Sequence, residues 1–176
     1  VGGTDWIKQQ ENFSGAYNCT STNVDSLEAF GLMMELAMMG SGTGAILEKD
    51  MVAKLPKVLN RLKITKVTAL GTEGGDDATR MVGKFNEASA RIIVGDSRKG
   101  WVTAYQQLIE LAYDPNLRAR LNKDGNDCLK VIIDLSQVRP AGQKLKGFGG
   151  TSNPVKLGDM FKKVASLLSQ AQGRKL

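Results

Sequence analysis

The sequence predicts an α/β fold. Three observations carry this: segments of clear helical period at residues 25–39, 96–113 and 155–171, short apolar runs between them, and no series of hairpin turn signals.

Residues 1–18 are polar, with Gly2-Gly3 and Ser14-Gly15 marking turns, and read as loop with one short helix around 5–11. Residues 17–22 read as a short strand, because threonine suits the pleat. In 25–39, Asp25 is placed to N-cap the helix and Glu28 to complete a capping box. Leu27, Phe30, Met33, Met34, Ala37 and Met38 share the apolar face, and the methionines read as core packing. Gly40-Ser41-Gly42-Thr43-Gly44 then breaks the helix ahead of a buried strand at 45–47. Phosphate-binding glycines normally follow a strand and open a helix, so a tight turn explains this run as well as a ligand does.

Residues 64–70 alternate as a strand does, 71–77 read as a turn or loop, and 78–89 as a weakly amphipathic helix. A strand at 91–94 leads to a helix opened by Asp96-Ser97 and closed by Asp114-Pro115. Trp101, Tyr105, Leu108, Ile109 and Ala112 lie on one side of it. A helical turn at 117–121 and a polar loop at 123–127 precede a strand at 128–135. The last helix, 155–171, carries Leu157, Met160, Phe161, Val164, Leu167 and Leu168 as its stripe.

The strand at 128–135 feeds IIDLSQVRPAGQKLKGFGGTS, residues 132–152, which holds Arg139, Lys144, Lys146 and a run of glycines. A strand that delivers a cationic, glycine-rich loop suits phosphate, since glycine lets backbone N–H groups approach an anion. A surface hairpin with solvated lysines fits the same residues.

Composition narrows the chemistry. The 176 residues are 41% apolar and 24% charged, enough for a folded domain with a core. A net charge of +6 suits polyanionic ligands such as nucleoside phosphates. The charges are dispersed along the chain without an aromatic-interleaved basic stripe, which argues against direct nucleic-acid binding. The chain has no histidine, which removes the commonest metal ligand and the commonest general base near neutrality. Two separated cysteines read as thiols of a reducing cytoplasm, and no apolar run reaches the roughly 20 residues a membrane span needs. Both ends read as interior sequence, which suggests a fragment.

Three stretches together resemble one family. YNCTSTNVDS, followed by helix and GSGTGAILE, is similar to the region around the first redox cysteine of ribonucleotide reductase large subunits. DSRKGW and VIIDLSQVRPAGQKLKGFGGTS resemble the monomeric, adenosylcobalamin-dependent (class II) branch, which reduces ribonucleoside triphosphates. The resemblance implies part of a ten-stranded α/β barrel: a barrel segment at 1–50, an insertion at 51–127 that replaces a dimer interface, and a strand, effector loop and helix at 128–176.

It also implies roles. Cys19 would be the catalytic thiol that supplies reducing equivalents beneath the ribose, paired with a cysteine outside this sequence, while Cys128 reads as packing. Asn18, Ser41 and Gly42 would line the substrate, with Gly42 permitting close backbone approach. Asp25, Arg139 and Lys146 would bind the effector, the two cations on its phosphates. The implied cofactor is adenosylcobalamin, held elsewhere in the complete enzyme. Implied partners are a ribonucleoside triphosphate, a deoxynucleoside triphosphate effector, a thioredoxin-like reductant and the rest of the reductase chain. The radical cysteine and its Asn and Glu partners have no counterpart here, so the isolated chain is expected to be inactive. A stand-alone nucleotide-binding regulatory module derived from the reductase is the alternative.

Overall fold

A mixed four-stranded sheet with helices on one face dominates the computed structural model, which describes residues 5–68, 71, 73–84, 88–146 and 150–175. A short helix α1 (Asp5–Lys8) and a 3-10 helix (Gln10–Ala16) lead into strand β1 (Cys19–Asn23). Helix α2 (Glu28–Met38) follows, then β2 (Gly42–Ile46), which pairs with β1 in parallel. A one-turn helix α3 (Lys49–Val52) connects to β3 (Arg61–Val67). Next come β4 (Arg80–Lys84), β5 (Ser89–Ile93), α4 (Arg98–Tyr113), α5 (Pro115–Lys123), β6 (Cys128–Asp134) and α6 (Pro154–Gln170).

The larger sheet has the order β3-β6-β5-β4, with β6 parallel to both β3 and β5, and β4 antiparallel at the edge. Alternation decides which face is covered. Leu62, Ala90, Ile92, Leu129, Val131 and Ile133 point into a core closed by α4 and α6, through side chains such as Leu108, Ala112, Phe161 and Ala165. Ser169 of α6 also clasps the β3 edge: its hydroxyl accepts from the Leu62 N–H (2.9 Å) and donates to the Leu62 carbonyl (2.8 Å). β6 lies between β3 and β5, so the boundary expected between residues 127 and 128 runs through one continuous sheet.

Local chemistry explains most boundaries. Ser97 caps α4 by accepting from the Gly100 N–H, Asp114 caps α5 from its position before Pro115, and Asn153 caps α6 before Pro154. Asn60, wholly buried, donates to the carbonyls of Leu111 and Asp114 at 2.8 Å each and satisfies the end of α4.

Several expectations are corrected. The helix expected over 78–89 is absent: β4 and the start of β5 pair as antiparallel strands there, with residues 85–87 outside the described set. The strand after the glycine run begins at Gly42, three residues early, and its side chains are largely exposed. On α2 the buried positions are Ala29, Gly31 and Leu36, whereas Ala37 is exposed; Leu27, Phe30, Met34 and Met38 do pack against the core. On α6, Leu167 faces solvent and Ala165 takes the core position. The first short helix splits into α1 and a 3-10 turn.

Candidate functional site

The thiol of Cys19 opens β1 and is exposed. Parallel pairing sets Gly42 directly beside it, and the Gly42 N–H donates to the Asn18 carbonyl at 2.8 Å. A Cβ on Gly42 would lie 3.9 Å from the Cys19 Sγ and 3.5 Å from the Asn18 oxygen, so glycine keeps the flank of the thiol open. Ser41 is buried and turned inward: its hydroxyl donates to the Tyr17 carbonyl at 2.8 Å and, at 3.5 Å, to that of Ser14. That bond ties the end of α2 to the turn that launches β1. Asn18, Cys19, Ser41 and Gly42 thus meet at one corner, with the Asn18 side chain exposed. Cys128, at the head of β6, is also a free thiol but half-buried.

Asp25 takes neither part of its expected helix-cap role. Leu27 occupies the N-cap position in a helical conformation with no side-chain cap, and Asp25 instead pairs with Lys54 at 3.8 Å. The capping box is replaced by a local contact: hydrogen bonds from its own backbone N–H and from Ser26 hold the Glu28 carboxylate below its ordinary range. No hydrogen bond or ion pair joins Asp25 to Arg139 or Lys146 among the described residues.

Arg139 and Lys146 stand on the loop that leaves β6, and carboxylates hold both. The Arg139 Nε donates to both oxygens of Asp96 (3.0 and 3.1 Å), Nη2 to Oδ2 (2.7 Å), and the backbone N–H to Oδ1 (3.0 Å). Its Nη1 donates to the Lys144 carbonyl. Hydrogen bonding to Asp96, offset in part by burial, keeps the guanidinium proton even more firmly bound than usual. Lys146 Nζ donates to Asp77 Oδ1 at 2.6 Å and to the Gly75 carbonyl at 3.3 Å. The loop folds back on itself: Gly142 N–H donates to Ser152 O (2.9 Å), Ser152 N–H to Gln143 O (2.7 Å), and Ser152 Oγ to Arg139 O (2.9 Å). A backbone bridge from Ser97 to Lys146 docks it against the start of α4.

A cavity of about 460 Å³ opens beside Lys146, lined by Glu11, Asp77, Ser97, Lys99 and Thr103 among others. That volume is within the range of small-ligand sites. On its wall Lys99 pairs with Glu11 at 2.6 Å, a hydrogen bond that holds the Glu11 carboxylate below its ordinary range. Asp96, expected only at the start of a helix, and Asp77, expected only in a loop, are thus the carboxylates that hold the two cations. Residues 147–149 of the glycine run lie outside the described set.

Fold and site define an α/β protein with an accessible thiol at a strand head and a clasped cationic loop. The family model for the B12-dependent ribonucleotide reductase insertion domain matches residues 62–168, and the chain belongs to that family. It is 29% identical over 157 residues to the adenosylcobalamin-dependent ribonucleoside-triphosphate reductase of Lacticaseibacillus paracasei. It is 32% identical over 155 residues to the reductase of the same description from Lactobacillus leichmannii. Each alignment covers 84% of this chain and 20% of the relative, so the chain spans about a fifth of the length of these curated relatives. A crystal structure of a B12-dependent (class II) ribonucleotide reductase superimposes with a TM-score of 0.72 at 25% identity, covering all of this chain and 27% of that one.

Proposed function

We propose that this chain is a segment of an adenosylcobalamin-dependent ribonucleoside-triphosphate reductase in which Cys19 is one of the two reducing thiols. The observation that carries this is the exposed Cys19 thiol, set beside the bare Gly42 backbone at the head of a parallel strand pair. An open thiol of this kind can meet a ribose on one side and a protein disulfide reductant on the other. In the reaction, Cys19 and a second thiol outside this segment form a disulfide and yield two electrons and two protons. The ribose loses its 2′-hydroxyl as water, gains hydrogen at C2′, and leaves as the deoxynucleotide. A thioredoxin-like dithiol then restores the pair by exchange.

Asn18 and Gly42 are proposed to line the substrate, and Ser41 to position them through its bond to Tyr17. The pair β1–β2 is proposed as the start of the ten-stranded barrel, since two parallel strands alone cannot form a stable sheet. The insertion is proposed to run beyond residue 127 and to include β6 and α6, because β3 and β5 meet only through β6. Lys146 is proposed to contact the phosphates of a deoxynucleoside triphosphate effector in the adjoining cavity, with Arg139 shaping the loop. Asp25 is proposed as a further effector contact, reached by release from Lys54. A cytoplasmic setting suits two free thiols.

Adenosylcobalamin supplies the radical that starts such a reaction. Its site is proposed to lie in the part of the reductase outside this segment. No step of the proposal passes through these residues to the cofactor.

The test is made in the complete reductase. Cys19→Ser should abolish multiple turnover with a dithiol reductant, and Lys146→Ala should weaken the effector severalfold while leaving effector-free turnover unchanged. Full turnover by Cys19→Ser would overturn the redox assignment, and unchanged effector affinity in Lys146→Ala would overturn the effector site.

A further inference from the structure

The cations that are scattered along the sequence are gathered by the sheet. Parallel sheets in α/β proteins ordinarily carry cover on both faces. Here α4 and α6 close one face, while the other presents Arg61, Lys63, Lys66, Lys130, Arg91 and Arg80, all exposed. Strand register makes this one surface. Lys63 stands directly opposite Lys130, Lys66 and Arg91 both stand opposite Ile132, and Arg80 stands opposite Ile93. Strands lie about 4.8 Å apart and same-face residues about 6.6 Å apart along a strand, so the cations form a close lattice.

Little on the protein answers this charge. The Asp134 carboxylate takes Arg91 at 3.4 Å, and Asp76 takes Arg80 at 3.4 Å. Arg61, Lys63, Lys66 and Lys130 form no ion pair among the described residues. Two lysines set directly across neighbouring strands repel each other, a cost to folding with no internal return. Nor does the face suit burial against another part of a protein: its apolar members, Val82, Ile93 and Ile132, are separated by charge. Among the described residues its four strands hold no aromatic side chain on which single-stranded bases could stack.

We infer that the open face of the β3-β6-β5-β4 sheet is a docking surface for the phosphate backbone of a nucleic-acid duplex. Contact is by charge alone, through Arg61, Lys63, Lys66 and Lys130 at its centre and Arg91 and Arg80 beyond. Binding of this kind is independent of base sequence and falls steeply with salt as counterions are released. It is separate from the Cys19 corner and from the Lys146 cavity, and does not rest on either.

The experiment measures fluorescence anisotropy of a labelled 20-base-pair DNA duplex with the full-length protein that contains this segment across a salt series. Lys63→Gln with Lys130→Gln is compared with a control of equal charge loss elsewhere, Lys123→Gln with Lys163→Gln, both exposed positions on α5 and α6. The sheet variant should bind at least tenfold more weakly, with a salt slope shallower by about 2, roughly one per lost phosphate contact. The control should stay within about twofold of the parent. Removing the Lys63–Lys130 repulsion leaves the sheet variant at least as stable, so a thermal melt separates lost binding from lost folding. Equal loss in both variants, no binding at low salt, or equal displacement of the duplex by polyglutamate would each overturn the inference; the last would point to an acidic protein instead.

Discussion

Arg139 holds Asp96 through its backbone N–H and its guanidinium at once, at 3.0 Å and between 2.7 and 3.1 Å. The carboxylate is wholly buried and the arginine side chain nearly so, at 15% exposure. A pair set this deeply joins the loop after β6 to the segment that opens α4. Neither residue lines the cavity beside Lys146, and the pair offers no free cation of its own.

Breaking this pair from either side leaves a buried charge without its partner. Asp96→Ala and Arg139→Ala should each cost about 3 kcal/mol or more in urea unfolding. The double variant should lose markedly less than the sum of the two, because the residues act as a unit. Strict additivity would show that the contact contributes nothing as a pair.

The Cys19 corner should be sensitive to bulk but not to strain. A Cβ at Gly42 meets ordinary contact distances, so Gly42→Ala should change stability by less than about 1 kcal/mol. The added methyl sits beside the Cys19 sulfur and should slow its reaction with a disulfide reagent severalfold. In the parent chain, Cys19 should react before the half-buried Cys128, and Cys19→Ser should remove the fast phase.

Acid should loosen the sheet through Asp134. Burial pushes its carboxyl pKa up, but hydrogen bonds from Ser136 and Thr68 and the charge of Arg91 outweigh that and leave it below the ordinary range. The folded value is therefore lower than the unfolded one. The contribution to stability is fully present above about pH 4 and is lost as pH falls through the folded value. Asp134→Asn should cost about 1–2 kcal/mol at neutral pH and flatten the acid limb of the stability profile. An unchanged acid limb would refute the role.

Helices α4 and α6 were legible because long apolar periods and Asp-Pro or Asn-Pro punctuation leave few alternatives. The segment that became β4 was not. In the sequence Ala78, Met81, Val82 and Phe85 fall at a helical spacing, and only pairing with β5, a tertiary contact, decides for the strand over 80–84. Asp25 failed as a cap for a related reason, since Lys54, far along the chain, offered it an ion pair. Cys19, Ser41 and Gly42 stand in sequence stretches with marked local character, and strand pairing brings them to one corner. The carboxylates that answer Arg139 and Lys146 were not legible, because Asp96 and Asp77 lie 43 and 69 residues away in sequence. Nor could the basic face be seen, since strand register alone brings Lys63 opposite Lys130.

The place of β6 has a consequence for how the chain is made. Both β3 and β5 take their parallel partner from β6, the last of the four strands of this sheet to leave the ribosome. Until it emerges, β3 has no strand to pair with and β5 has only the hairpin with β4. Apolar residues of two waiting strands are then open to neighbouring nascent chains, and slow translation between β5 and β6 lengthens that interval. Aggregation during synthesis should therefore depend on how fast the stretch from α4 to β6 is translated.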